Sequence, residues 1–496
     1  MTLEREAKLQ APPAFRLPDL GGDGLVASER EPQRLVTVYV DTPDLRVVRW
    51  GCSLRHRTGE GDGGVWTVKL PPRQEGSLLV RAEHTFDGDD PRKLPVAAVD
   101  LLRGYVRGGE LAPVARLRTV RHGVELRDEA GVPLATLTDD EVSVMDGRRV
   151  ASRFRELEVE LDPAAPSEIS GALLERLRSA GAGALDNVPK LVRALGPRAT
   201  EPPDVVVPDV GERSTVAEVV RRALAASVVR LLRHDAGVRL GDDPEDVHQA
   251  RVATRRLRSD LRTFRDVVEP AWAGPIRDEL RWLGAELGAV RDAEVLRDRL
   301  RGREALLATG DAAAVERLVA GLARRREEDR DRLLASMREP RYVALLDALV
   351  AAAANPAVVA EVADAPAAAA LAPALEGPWK HLRTAIDGVV DEPTDEALHA
   401  ARIRAKRVRY AAEAMAPVFG KRAKGFAAAA VELQDVLGEH QDAVVARAWL
   451  RGAATSPAQA FVAGQLAAIE AEAARAARAA WPAAWKSLSR KKLRFW

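Results

Sequence analysis

Glu4, Glu6 and Lys8 occupy alternate positions in Thr2-Leu3-Glu4-Arg5-Glu6-Ala7-Lys8-Leu9. Alternate side chains of an extended strand share a face, so the two carboxylates stand roughly 7 Å apart with an ammonium next in line. Carboxylates at that spacing can share one hydrated divalent cation, and the lysine would meet an anion held by it. Leu3, Ala7 and Leu9 take the other face, with Arg5 as the exception. A half-buried strand ordinarily turns its charges to water; recurrence argues otherwise here. Arg55 alternates with Arg57, Lys69 with Thr67, Arg81 with Glu83, Arg116 with Arg118, and Glu156, Glu158 and Glu160 with leucine and valine. Like charges so placed repel unless something of opposite sign lies between them.

Acidic strands at both ends of this segment and basic strands in its middle imply a closed antiparallel barrel with a polar lumen. Its apolar outer face would lie under helices at 167–180 and 188–195. The Arg/Lys ring would hold a polyanion, and the glutamates a metal. An oxygen-only donor set suits Mg2+ or Mn2+ rather than zinc. Phosphoryl transfer to water needs this combination of charge neutralisation and a positioned nucleophile.

The chain has 496 residues, so two or three domains are expected. Its hydrophobic fraction of 47% supports packed cores and excludes large-scale disorder. A net charge of +1 gives no general attraction to polyanions, so any basic site must be local. A single cysteine, Cys52, excludes an internal disulfide and fits a reducing compartment. No apolar run reaches the ~18 residues of a membrane span, and no secretory leader is read at the start. The expected location is the cytoplasm. Only eleven cations are lysine, which makes Lys8, Lys69, Lys190 and Lys406 more informative than usual.

The ordered set Glu4-x-Glu6-x-Lys8, Tyr39-Val40-Asp41-Thr42-Pro43, Arg55-x-Arg57, Lys69, Arg81-x-Glu83, Arg116-x-Arg118 and Glu156-x-Glu158-x-Glu160 resembles a CYTH domain of the triphosphate tunnel enzymes. The resemblance covers about residues 1–200 and implies an eight-stranded tunnel binding triphosphates with Mg2+ or Mn2+. It assigns Glu4, Glu6 and Lys8 to catalysis, and Glu4, Glu6, Glu83, Glu156, Glu158 and Glu160 to metal. Lys8, Arg55, Arg57, Lys69, Arg81, Arg116 and Arg118 become phosphate ligands. Lys190 matches a further basic position of the family, and equally reads as a helix-surface lysine.

A Pro-rich stretch without periodicity places a linker at 201–213. Beyond it, over 214–496, the pattern is helical and duplicated, with repeats at about 214–352 and 375–496. His248-x-x-Arg251-x-x-x-Arg255-Arg256-x-Arg258 returns 151 residues later as His399-x-x-Arg402-x-x-x-Lys406-Arg407-x-Arg409. Leu287-Gly288-x-x-x-Asp292-Ala293 likewise returns as Leu437-Gly438-x-x-x-Asp442-Ala443. Positions 248, 251, 255, 258, 262 and 265 form one helical stripe of a histidine and five arginines, beside an apolar stripe of Leu257, Leu261, Phe264 and Val268. An uninterrupted cationic stripe implies an anion-binding surface where the repeats face each other. Asp292 and Asp442 read as braces for neighbouring arginines, and the basic tail 489–496 as a frayed terminus, with an extension of the basic surface as the alternative.

This half resembles the CHAD domain, which implies two pseudo-symmetric four-helix bundles binding inorganic polyphosphate. Carried over, the ligands are His248, Arg251, Arg255, Arg258, His399, Arg402, Lys406 and Arg409; the histidines equally read as braces. The function implied is metal-dependent hydrolysis of inorganic triphosphate in the tunnel, with polyphosphate held by the helical half and association with polyphosphate granules. Cyclisation of ATP in the same tunnel, or polyphosphate binding without catalysis, are the alternatives. Aromatic residues for base stacking are not interleaved with the arginines, so nucleic acid is not expected.

Overall fold

Ten strands form among the described residues (2–22, 24–61, 63–389 and 393–496) of the computed structural model, all of them before Asp204. They are β1 (Thr2–Gln10), β2 (Leu25–Glu29), β3 (Gln33–Asp41), β4 (Ser53–Thr58), β5 (Gly64–Lys69), β6 (Arg73–Glu75), β7 (Leu78–Asp87), β8 (Ala112–Asp128), β9 (Pro133–Asp146) and β10 (Arg149–Leu161). Eight of them close a ring in the order β1-β10-β9-β8-β3-β4-β5-β7 and back to β1, each pairing antiparallel. Short β2 and β6 hang on β8 and β7. Closure removes the sheet edges that would otherwise invite aggregation.

Register carries the charges inward. Lys8 stands opposite Glu158, Glu6 opposite Glu160, Glu4 opposite Arg81, and Lys69 opposite Glu83. Directly opposed residues share a face, so every one of these pairs lies inside. The outer face of the same strands is apolar. Leu9, Val80, Leu126, Leu137, Leu157 and Val159 are buried under Leu173, Leu174 and Leu177 of the Glu168–Ser179 helix. Arg5, the exception in β1, points outward and donates to the Ala165 carbonyl (2.9 Å) and Ser167 Oγ (2.7 Å), tying down the turn before that helix.

The second expected cover behaves differently. Leu191 of the Lys190–Leu195 helix packs on Tyr39, Leu117, Val142 and Val144, which the register places on the lumen side with Thr37 and Arg57. This helix therefore plugs one end of the barrel instead of lying over its outside. The interior is apolar at the plug and charged beyond it.

The Pro-rich segment starts as part of the barrel unit, which ends at Asp204, and a second unit runs Val205–Trp496. Arg49 donates to the Pro202 carbonyl (2.8 Å), and Trp50 Nε1 to Asp204 Oδ1 (2.8 Å). Residues expected as free linker are thus pinned.

The second unit is helical. Its first repeat uses the helices Val216–Leu240, Pro244–Thr263, Pro270–Gly302 and Ala312–Arg338. The second uses Pro373–Asp387, the two halves of Asp395–Ala453, and Pro457–Leu488. The long helix breaks at Gly420 (φ 61°), a left-handed conformation that glycine adopts without strain. That break stands where the first repeat has its turn between Thr263 and Pro270. Starts are specified locally: Thr215 and Glu218 form a reciprocal capping box, and Asp243 caps a helix with proline at its first position. Leu318, Val319 and Leu322 of one repeat pack with Leu450, Val462 and Leu466 of the other in one apolar seam. Among the described residues no helix is long and apolar enough to cross a membrane.

The tail departs from the frayed terminus expected. Phe495 is buried, and Trp496 packs edge-on against Phe426 (5.0 Å) and Trp379 (6.2 Å). Arg494 lies over the Trp379 ring at 5.3 Å.

Candidate functional site

The charged part of the barrel interior encloses about 500 Å³. Glu4, Glu6, Lys8, Arg55, Arg57, Lys69, Arg81, Glu83, Glu158 and Glu160 all line it, joined by Tyr39, Glu60, Arg121 and Lys190. Cations and anions interleave. Lys69 Nζ lies 2.5 Å from Glu4 and 2.9 Å from Glu83. Arg81 bridges Glu4 (2.9 Å) and Glu6 (2.6 Å). Lys8 pairs with Glu158 and lies 3.4 Å from Glu6, and Arg121 grips Asp140 through two bonds of 2.8 and 2.7 Å. Lys190 reaches Glu156 (2.6 Å), Glu158 (2.8 Å) and Asp140 (3.0 Å); it is a lumen residue, not a surface lysine.

Pairing sets the titration of these groups. Burial would raise Glu4, yet Lys69 and Arg81 hold its carboxyl down at about 2. Among the described residues Glu160 has no cation bonded to it; burial in the lumen and the facing Glu4 push it up to about 7, with Glu158 and Glu6 adding and Lys69 opposing. Burial and the neighbouring Arg55 and Arg81 lower the Lys69 ammonium, whereas the three carboxylates around Lys190 overcome burial and raise it.

Three expected residues fall elsewhere. Arg116 and Arg118 are exposed on the outer face. On β8 the register aligns Leu117 with Thr37, itself opposite Arg57, so Leu117, Thr119 and Arg121 face inward and the arginines at even positions face out. Arg121 takes the lumen position expected of them. Glu156 is buried below the cavity between Lys190 and Arg193 (3.4 Å), away from Glu4 and Glu6.

A divalent cation is implied by the donor chemistry. Among the described residues no three His, Cys, Asp or Glu side chains stand gathered as a metal site, because lysine and arginine hold the carboxylates apart. The donor set still fits a hard cation: Glu4, Glu6, Glu158 and Glu160 are all oxygen donors around one cavity. Glu160, raised by burial and then by the carboxylates around it, is the group whose charge a cation would relieve.

In the helical unit the two repeats present their cations to one another. Arg255 lies within electrostatic reach of Arg402, Lys406 and Arg409, and Arg251 within reach of Lys406. Burial and then Arg402, Arg255 and Arg251 bring the Lys406 ammonium down to about 7, with Asp442 opposing. Arg251 pairs with Asp292 at 2.9 Å and Arg402 with Asp442 at 3.8 Å, the bracing expected of the two aspartates. Gly288 and Gly438 occupy matching places, next to the guanidiniums of Arg251 and Arg402, which lie 3.7 and 3.6 Å from where a Cβ would stand. His399 Nδ1 bonds to Gln441 Oε1 (2.7 Å), so it is braced as well as half-buried on the surface. His248 stands near Arg291, Arg255 and Arg251, and burial with those charges lowers its pKa. Arg258 sits farther along, near Arg281 and Arg277.

Comparison with known proteins matches the CYTH domain to residues 2–191 and the CHAD domain to residues 222–451. An uncharacterized protein of Mycobacterium tuberculosis is 36% identical over 451 residues, spanning 85% of this chain and 83% of that one. Among solved structures, the CHAD domain from the plant Ricinus communis is 27% identical, with 57% of this chain and 95% of that chain covered and a TM-score of 0.48. PptA from Streptomyces chartreusis is 24% identical, with 55% and 100% covered and a TM-score of 0.46. HpAC1 from Hippeastrum, described with a dominant triphosphatase activity, is 17% identical, with 38% and 94% covered and a TM-score of 0.28.

Proposed function

Because the chain belongs to the CYTH family of triphosphate tunnel enzymes and carries a CHAD domain after it, we propose that its barrel hydrolyses inorganic triphosphate and that its helical unit binds polyphosphate. One observation carries the first half: seven cations (Lys8, Arg55, Arg57, Lys69, Arg81, Arg121 and Lys190) and the carboxylates Glu4, Glu6, Glu60, Glu83, Glu158 and Glu160 converge on one cavity. Buried charges are costly unless paired. Here all but Glu160 are paired in a way that a substrate could exchange, phosphates going to the arginines and lysines and a cation to the glutamates.

In that arrangement Arg55, Arg57, Lys69 and Arg81 bind and orient the phosphate chain. Lys8 neutralises charge beside Glu6 and Glu158. Glu4, Glu6, Glu158 and Glu160 would hold Mg2+ or Mn2+. A divalent cation there supplies charge neutralisation at the phosphate oxygens and acidifies water. The apolar plug of Leu117, Val142 and Leu191 keeps bulk water from one end, which strengthens each electrostatic contact. Purified full-length protein with Mg2+ or Mn2+ and tripolyphosphate should release orthophosphate, and Glu4→Ala should abolish release. Release that survives the substitution overturns the assignment.

The second half rests on Arg251, Arg255, Arg402, Lys406 and Arg409 converging across the duplicated helices. Polyphosphate should outcompete DNA at matched phosphate concentration; preference for DNA overturns it.

A further inference from the structure

The lumen continues past its arginine row into a second cavity of about 400 Å³, and the residues common to both are Glu60, Arg121 and Glu160. Along β4 the guanidiniums run from Arg55, 3.7 Å from Glu83, to Arg57, whose Nη1 donates to Glu60 Oε1 at 2.7 Å. The same carboxylate oxygen lies 3.9 Å from Arg121. Glu60 therefore sits at the end of the phosphate-binding row, where an anion would otherwise be expected.

Strand alternation does not put Glu60 there; the β4–β5 turn does. Gly59 has φ 102°, and a Cβ on it would stand 2.2 Å from the Arg34 carbonyl oxygen, so the turn passes flat against β3 only because this residue is glycine. On the other side the Gly64 N–H donates to Asp89 Oδ1 at 3.0 Å. The turn is built to deliver the carboxylate to the guanidiniums.

Beyond Glu60 the charge reverses. The second cavity carries Glu31, Glu125 and Asp162 besides Glu60 and Glu160. Its two arginines are already engaged, Arg30 on Glu125 (3.3 Å) and Arg121 on Asp140. A phosphate chain advancing along β4 meets attraction as far as Arg57 and repulsion after it.

We propose that Glu60 determines chain-length specificity in the lumen. It competes with the incoming phosphate for Arg57 and Arg121, and with the acidic cavity behind it turns back chains longer than the arginine row. The lumen then admits short linear phosphates from one mouth, discriminating by a repulsive element as much as by attraction. This rests on the reading of the lumen as a triphosphate site.

The test compares the full-length protein with Glu60→Gln on tripolyphosphate and linear tetraphosphate, each with Mg2+. The variant should lower KM for tripolyphosphate roughly five-fold, the worth of one partly screened ion pair, with kcat little changed. It should also raise kcat/KM for tetraphosphate relative to tripolyphosphate. Glu60 is 42% exposed on a turn, so melting should match the parent and confirm that folding is intact. An unchanged KM, or an unchanged preference between the two chains, overturns the role of Glu60. A parent protein that cleaves neither chain overturns the function of the lumen itself.

Discussion

Lys8 and Lys190 reach the same carboxylate oxygen, Oε1 of Glu158, although one lies on the first strand and the other follows the last. Two ammonium groups on one oxygen are tolerable only because Glu6, Glu156 and Asp140 stand around them. The Lys190–Leu195 plug is thus fastened to the barrel by charge as well as by Leu191. Lys190→Met should cost about 3–5 kcal/mol of barrel stability, since it leaves Glu156 and Asp140 buried with fewer partners. Adding Glu156→Gln should recover part of the loss. Melting of the full-length variants checks this; a Lys190→Met barrel that melts like the parent removes the plug's charge from the account.

Register separates the lumen arginine of β4 from the surface arginines of β8. Arg57→Ala should lower kcat/KM for tripolyphosphate roughly a hundred-fold, the scale of losing one preorganised charge at a phosphoryl-transfer site. Arg118→Ala, on the outer face, should change it by no more than about two-fold, as for a solvated charge. Comparable losses from both would place Arg118 in the reaction despite its register.

That distinction was legible in the residues themselves. Val124 and Leu126, on the same alternation as Arg116 and Arg118, are apolar and lie beneath the Glu168–Ser179 helix, which marks the whole even set of β8 as outer face. Local pattern concealed it. Arg-Leu-Arg reads as charge inside and leucine outside, but Leu117 belongs to the apolar end of the lumen under Leu191. β1 and β10 pair directly, with Lys8 opposite Glu158 and Glu6 opposite Glu160, so alternation places those side chains in the lumen, whereas Glu156 on the same face is taken by Lys190 and Arg193. Glu60 was beyond the reach of alternation, since a glycine-shaped turn places it. The tail was misjudged for a similar reason: its lysines and arginines suggested solvent, while Phe495 and Trp496 were drawn into a cluster contributed by helices far away in sequence.

Lys406 gives polyphosphate binding a pH dependence. Burial and the surrounding arginines bring its pKa from 10.5 to about 7, so the free site loses this charge as pH rises through neutrality. A bound polyanion favours the ammonium and raises the pKa again. Affinity should therefore be full below pH 7 and fall above it, by up to about ten-fold per pH unit until the bound-state pKa is passed. Titration calorimetry at pH 6.5 and pH 9 measures the slope. Lys406→Arg, which keeps its charge over this range, should flatten it; an equal slope in the variant would assign the effect to another group.

Removing Phe495 and Trp496 should destabilise the second helical repeat. Phe495 packs on Phe419 (5.0 Å) and Phe426 (6.0 Å), and Trp496 on Trp379 and Phe426, so the tail joins two helices of that repeat. Large-to-small changes at buried aromatics cost about 3–5 kcal/mol. A chain ending at Arg494 should show an earlier unfolding transition for the helical unit and retain tripolyphosphate hydrolysis in the barrel. Unaltered melting would mean that the aromatic cluster holds without its last two rings.

Asp260 sets a pH limit on the same unit. It is fully buried; its nearest cation is Arg256 at 3.6 Å, which is also engaged by Glu413. Burial pushes its carboxyl from the ordinary 3.8 up to about 7, against Arg256 and with Glu413. A folded-state pKa above the unfolded one means that the protonated form favours folding. The contribution is complete below about pH 4 and is lost as pH rises to 7, by which point the loss amounts to about 4 kcal/mol. Asp260→Asn cannot ionise, so its helical unit should be more stable than the parent's at pH 8 and little different at pH 4. Denaturant unfolding of both proteins across that range measures the gap; a constant difference with pH would show that Asp260 keeps one protonation state throughout.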